Sequence, residues 1–129
     1  MSDRFFPVSA NAYGEMQPIG KNYRLRLVNE RNRHASLKPS QVETLGDALE
    51  TGLSIFDEIT AHGRWPMMKF FDLGHRAMMR FTAHGREDLR LSIHESTEAR
   101  EWILTVRGLD KVKKFKDWVR QFTPNTELG

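Results

Sequence analysis

The side chains able to do chemistry in this 129-residue chain are arginines, histidines and carboxylates, since cysteine is absent. Without a thiol there is no disulfide scaffold, no thiolate nucleophile and no cysteine-ligated zinc. The histidines, His34, His62, His75, His84 and His94, form neither an H-x-H nor an H-E-x-x-H pair, so no metal site is expected. Two carboxylate pairs, Asp57-Glu58 and Glu87-Asp88, are adjacent in sequence. Neighbouring acids on a helix or in a turn diverge and are solvated. No G-x-S-x-G elbow is present, and the glycines are scattered rather than clustered before a helix. The chain is therefore not expected to be an enzyme, and no cofactor is implied.

The arginines are more informative. Arg24, Arg26, Arg80, Arg90 and Arg107 each lie in a segment where polar and apolar residues alternate, so each is placed opposite the apolar face of a strand. Phe70 shares that side of the sheet with Met68 and Met78, and Trp65 and Lys69 are placed along the same path. Guanidinium groups gathered on one pleated surface repel one another unless an anion covers them. Arginine pairs with phosphate and stacks on planar groups, and exposed aromatic rings take unstacked bases. The competing reading is a solubilising face whose arginines pair with nearby acids, with Asp72, Glu30 and Glu95 as candidates.

These residues must be positioned by short strands and two helices. Period-two alternation marks strands at Tyr13 to Ile19, Tyr23 to Val28, Ala77 to Ala83, Leu89 to Ile93 and Trp102 to Arg107, with shorter ones at Phe5 to Ser9 and His34 to Leu37. Met67 to Leu73 breaks the alternation, because Lys69 falls with Met67 and Phe71 while Asp72 falls with Met68 and Phe70. A bulge or an edge position is expected there. Val42, Leu45, Leu49, Leu53, Phe56 and Ile59 give one amphipathic helix opening at Pro39 and closing at Gly63, with Gly46 and Gly52 marking close packing. Val112, Phe115, Val119 and Phe122 give a second, beginning near Asp110, with Trp118 at its border, a lysine-rich opposite face and a stop at Pro124. The expected fold is α+β: a single domain whose halves, about 4–63 and 64–123, are each a four-stranded antiparallel sheet followed by a helix. The helices pack between or against the sheets, and 124–129 form a flexible tail.

Charge is distributed unevenly. The net charge is only +3, but residues 39–63 hold five acids and no lysine or arginine. That acidic helix face supports a rival function, a protein-binding adaptor or inhibitor. No secretory signal or membrane-length apolar run is present, so a cytoplasmic protein with no membrane partner is expected.

The pentapeptide TAHGR occurs twice, at Thr60–Arg64 and at Thr82–Arg86. One copy closes the first helix and the other joins two strands, so both are read as turns whose glycine supplies a positive φ. The alternative, two loops aiming Arg64 and Arg86 at phosphates, remains open.

The doubled order of four strands and a helix, together with the strand-to-helix stretch Ser36-Leu37-Lys38-Pro39-Ser40-Gln41, resembles the Whirly and PUR group of single-stranded nucleic-acid binders. The stretch itself is similar to the corresponding junction of the related coactivator that binds melted DNA. The resemblance implies strand-face binding of single-stranded DNA or RNA with little sequence preference, in a homo-oligomer, a dimer or tetramer. On the arginine reading, the binding residues are Arg24, Arg26, Arg80, Arg90, Arg107, Lys69, Phe70 and Trp65.

Overall fold

Alternation along the strands and two amphipathic helices dictate the architecture of the computed structural model, which describes residues 3–95 and 103–123. The elements run β1 (Phe5–Pro7), β2 (Tyr13–Ile19), β3 (Asn22–Val28), β4 (His34–Leu37), α1 (Pro39–His62), β5 (Met67–Gly74), β6 (Ala77–Ala83), β7 (Leu89–Glu95), β8 (Leu104–Arg107) and α2 (Leu109–Gln121). They form two antiparallel sheets in sequential order, β1-β2-β3-β4 and β5-β6-β7-β8. The fold is α+β, a four-stranded sheet followed by a helix, twice over. Trp102 and the tail 124–129 lie outside the described residues.

The broken alternation of β5 has the expected origin. It is an edge strand, and its register against β6 shifts between Asp72 and Gly74. An edge strand needs only one hydrogen-bonded neighbour, so it tolerates a bulge that a central strand would not.

At the start of helix α1 the Lys38 backbone N–H donates to the Gln41 side-chain Oε1 at 2.7 Å, with Pro39 following in the first turn. Gln41 is almost fully buried, and its Nε2 donates to the Gly74 carbonyl at 2.7 Å, which fixes the helix start to the β5–β6 hairpin. At the other end Gly63 adopts φ 63° and donates its N–H to the Ile59 carbonyl. That left-handed closure favours glycine.

Each helix reaches into the opposite half. Gly52 of α1 lies against the Phe81 ring of β6, where an added Cβ would come within 2.2 Å of the ring. Phe115 and Trp118 of α2 pack on Phe6 of β1, with centroids 5.2 and 5.5 Å apart, and Phe122 meets Tyr23 of β3 at 4.9 Å. Trp118, expected at the helix border, is buried, and its Nε1 donates to the Asp3 carbonyl at 2.7 Å. The inward faces of the sheets, with Leu25, Leu27 and Leu37 on one and Met79, Phe81, Leu91, Ile93 and Val106 on the other, close a common core with the helices. The opposite faces of both sheets are turned to solvent, although Val28 on the first and Ser92 on the second are buried.

The acidic face of α1 and the basic face of α2 meet within the molecule. Arg120 contacts Asp47 at 2.6 Å and Glu50 at 2.9 Å, with Gly46 beneath the guanidinium. The hydrogen bond from Arg120 holds the Glu50 carboxyl below its ordinary value of 4.5. A depressed carboxylate stabilises the folded state above its unfolded pKa, and that contribution is lost as pH falls through the folded value. Arg120→Gln is therefore expected to lower the thermal midpoint at pH 6 and to narrow the difference from wild type on acidification below about pH 4. The gap is modest, because pairs this exposed contribute about 0.2–1 kcal/mol. An Arg120→Gln protein whose deficit grows towards low pH would refute this assignment.

Candidate nucleic-acid interface

The outward side of the second sheet is built from alternate residues of four strands. Register aligns them in three rows across the sheet: Met68, Thr82, Arg90 and Arg107; then Phe70, Arg80, Ser92 and Thr105; then Asp72, Met78 and His94. Their strand neighbours Met79, Phe81, Ala83, Leu91 and Val106 point the other way and are fully buried. That burial holds the alternation in register, since a slip of one residue would exchange the two faces.

Large apolar groups are left in water on this face. Met68 is 59% exposed, Phe70 52% and Met78 36%. Phe70 sits directly opposite Arg80 across the β5–β6 pair, so the two side chains emerge from the same side of the sheet as neighbours. Ser92 Oγ and Thr105 Oγ1 lie 3.1 Å apart and tie the middle row together.

Arg90 and Arg107 are also direct cross-strand partners. The Gly108 N–H donates to the Leu89 carbonyl at 2.8 Å, which makes Arg90 and Arg107 a non-hydrogen-bonded pair, the type that brings side chains closest. Like charges facing each other in such a pair destabilise the sheet. Arg107 also lies just ahead of Leu109, the first residue of α2, where the helix dipole disfavours a cation. Arg90 Nε is 3.4 Å from Asp88 Oδ1, but the two side chains are 48% and 41% exposed, and a pair so exposed relieves little. Two like charges thus face each other across the sheet, at a modest cost because both are exposed.

The remaining candidates fall elsewhere. Arg24 and Arg26 belong to β3 and lie on the outward face of the first sheet, so the five arginines do not share one pleated surface. Their partners are also nearer than expected. Arg24 donates from Nε and a terminal nitrogen to Gln17 Oε1. Arg26 reaches Glu15 Oε1 at 3.4 Å, and one of its terminal nitrogens lies 2.7 Å from His34 Nδ1. Of the acids expected to neutralise arginines, Glu30 accepts from Ser9 Oγ and Asp72 accepts the Gly74 backbone N–H.

Lys69 pairs with Phe81 and therefore lies on the helix side of the second sheet, exposed at its edge. Trp65 is half-buried against Phe56 of α1, their rings 5.7 Å apart. Neither joins Phe70: Lys69 is its strand neighbour, which the pleat sends to the opposite side, and Trp65 precedes β5 and is held by its packing on Phe56. Thr82, Ser92 and Thr105, which the arginine count overlooks, are on the face, and the same period-two rule would have found them.

A cleft of about 810 Å³ lies between the β1–β2 and β3–β4 connections, β8 and the start of α2. It is lined by Val8, Ala12, Asn29, Arg31, Arg107 and Lys111 among others, and brings no serine–histidine or paired-carboxylate arrangement together. Among the described residues no group of three histidine, aspartate or glutamate side chains could hold a metal ion, and no helix is long and apolar enough to cross a membrane. No protein-family model matches the chain, and no curated protein or solved structure matches it.

Proposed function

We propose that the protein binds single-stranded nucleic acid across the outward face of the second sheet, with little sequence preference. Bases stack on Phe70 with Met68 and Met78 beside it, Arg80 extends the platform, and Arg90 and Arg107 take phosphates. The observation that carries this reading is the Arg90–Arg107 pair beside an exposed phenylalanine. A phosphate over that pair converts its repulsion into attraction, and a base over Phe70 removes apolar surface from water. Stacking is indifferent to base identity because every base has a π-face, which accounts for the weak sequence preference.

The first sheet is the weaker candidate. Phe5 is exposed there but leans on Tyr13, and Arg26 is held by Glu15 and His34. The adaptor reading loses ground for a similar reason, since Asp47 and Glu50 are already engaged by Arg120. As part of this proposal the protein acts in the cytoplasm as a dimer or tetramer, which sedimentation would report as a multiple of 15.0 kDa.

Anisotropy of a labelled single strand, measured across a salt series and against the matching duplex, tests the proposal. Two arginines on phosphates predict that log affinity falls with log salt at a slope of about −1.4. Preference for the duplex, or a slope of zero, would overturn it.

A further inference from the structure

The two TAHGR copies, unlike in their roles along the chain, lie at one end of the same sheet. Met67 opens β5 and Ala83 closes β6, and the two are direct cross-strand partners. Arg64 stands three residues before Met67 and Arg86 three residues after Ala83. Because the strands are antiparallel, both pentapeptides emerge at the same end of the second sheet. Ala83 is in turn opposite Leu89, and Leu89 is bonded to Gly108, so this end adjoins the row that carries Arg90 and Arg107.

Turn chemistry explains only one of the copies. Gly63 has φ 63° and closes α1. Gly85 has no left-handed φ, and an added Cβ there would meet nothing within 4 Å. It occupies the first position of a turn in which the Asp88 N–H donates to its carbonyl, a position open to most residues. Nothing within the described residues requires glycine at this site. Glycine also serves where another molecule must approach the backbone closely. The side chains flanking the two glycines, His62, Arg64, His84 and Arg86, are all exposed, and neither the Arg64 nor the Arg86 side chain forms an ion pair or hydrogen bond with a described residue.

We infer that the paired TAHGR loops form a second phosphate-binding station at the end of the sheet. Resting on the function proposed above, it takes the backbone of the same strand after that strand leaves the Phe70 platform. Arg64 and Arg86 contact the phosphates, and Gly85 lets the backbone come close. The repeat is then one recognition element presented twice by neighbouring chain segments, so a longer oligonucleotide gains affinity that a short one cannot.

Single-stranded DNA of about four and about twelve nucleotides, lengths within the range a single module covers, separates the two stations. The Arg64→Ala/Arg86→Ala double variant is expected to bind the short strand like wild type and the long one about 10-fold more weakly. Its salt slope on the long strand should be shallower by about 1.4, the contribution of two phosphates. Gly85→Leu should weaken the long strand also, with its thermal midpoint unchanged. If the double variant keeps wild-type affinity and slope on the long strand while Phe70→Ala weakens it, the station does not exist and the sheet-face reading stands. If wild type binds neither strand, both fall.

Discussion

Phe81→Ala is expected to destabilise the protein by about 3–5 kcal/mol, the range for truncating a buried phenylalanine, and to lower its thermal midpoint by more than about 10 °C. The ring is fully buried and joins three elements: it belongs to β6, packs edge-on against Phe71 of β5 at 6.1 Å, and fills the notch left by Gly52 on α1. The notch makes a more specific test available. Gly52→Ala in the wild-type background places a Cβ inside the ring's contact distance and must push the helix from the sheet, at a cost of about 1–3 kcal/mol. In the Phe81→Ala background the obstruction is gone and the cavity accepts the methyl group. The same substitution should then stabilise the protein, since alanine is favoured over glycine in a helix interior by about 1 kcal/mol. Urea denaturation of the four proteins in this cycle gives the coupling directly. Additive effects would show that Gly52 does not seat the ring.

That notch also shows what a sequence of this kind discloses. Gly46 and Gly52 interrupt a good helical pattern, and an interruption with a cost implies a packing reason. The reason is legible as close approach, but the identity of the approaching group is not. Arg120 and Phe81 reach those glycines across 74 and 29 residues of chain, and no local pattern records that pairing. The strands follow the same division. Period-two alternation assigns Arg80, Arg90 and Arg107 to the outward side correctly, because side-chain direction is a local property of the pleat. The doubled order of four strands and a helix also predicts two separate four-stranded sheets, as found, but counting arginines across that division groups Arg24 and Arg26 of the first sheet with residues of the second. Lys69 was legible as a misfit, because it is the strand neighbour of Phe70 and alternation places it on the helix side; Trp65 precedes β5, where alternation does not apply, and only its packing on Phe56 places it. The TAHGR repeat is the converse case: its two copies have unlike local roles, and only the Met67–Ala83 pairing brings them together.

Arg107→Glu is expected to raise stability while weakening binding of single-stranded DNA by about 10-fold or more. The substitution replaces a like-charge cross-strand pair by an Arg90–Glu ion pair, worth about 0.2–1 kcal/mol, and puts a carboxylate near the N-terminus of α2, where the helix dipole favours it. Phosphate binding suffers the reverse, since one contact is lost and a repulsive charge takes its place. Phe70→Ala provides the apolar half of the comparison. Its side chain is about half exposed, so stability should change by less than about 1 kcal/mol, whereas removing a base-stacking platform costs about 1–3 kcal/mol of binding, roughly 5- to 150-fold. Arg26→Glu serves as the control on the other sheet and should leave binding within about twofold, although it too reverses an arginine on an outward face. If Arg107→Glu lowered both stability and affinity, its effect on binding would reduce to damage of the fold. If Arg26→Glu weakened binding as much as Arg107→Glu, the ligand would have to cross both sheets. Opposite movement of stability and affinity at Arg107, with affinity unmoved at Arg26, is the pattern that only a functional reason for the Arg90–Arg107 pair produces.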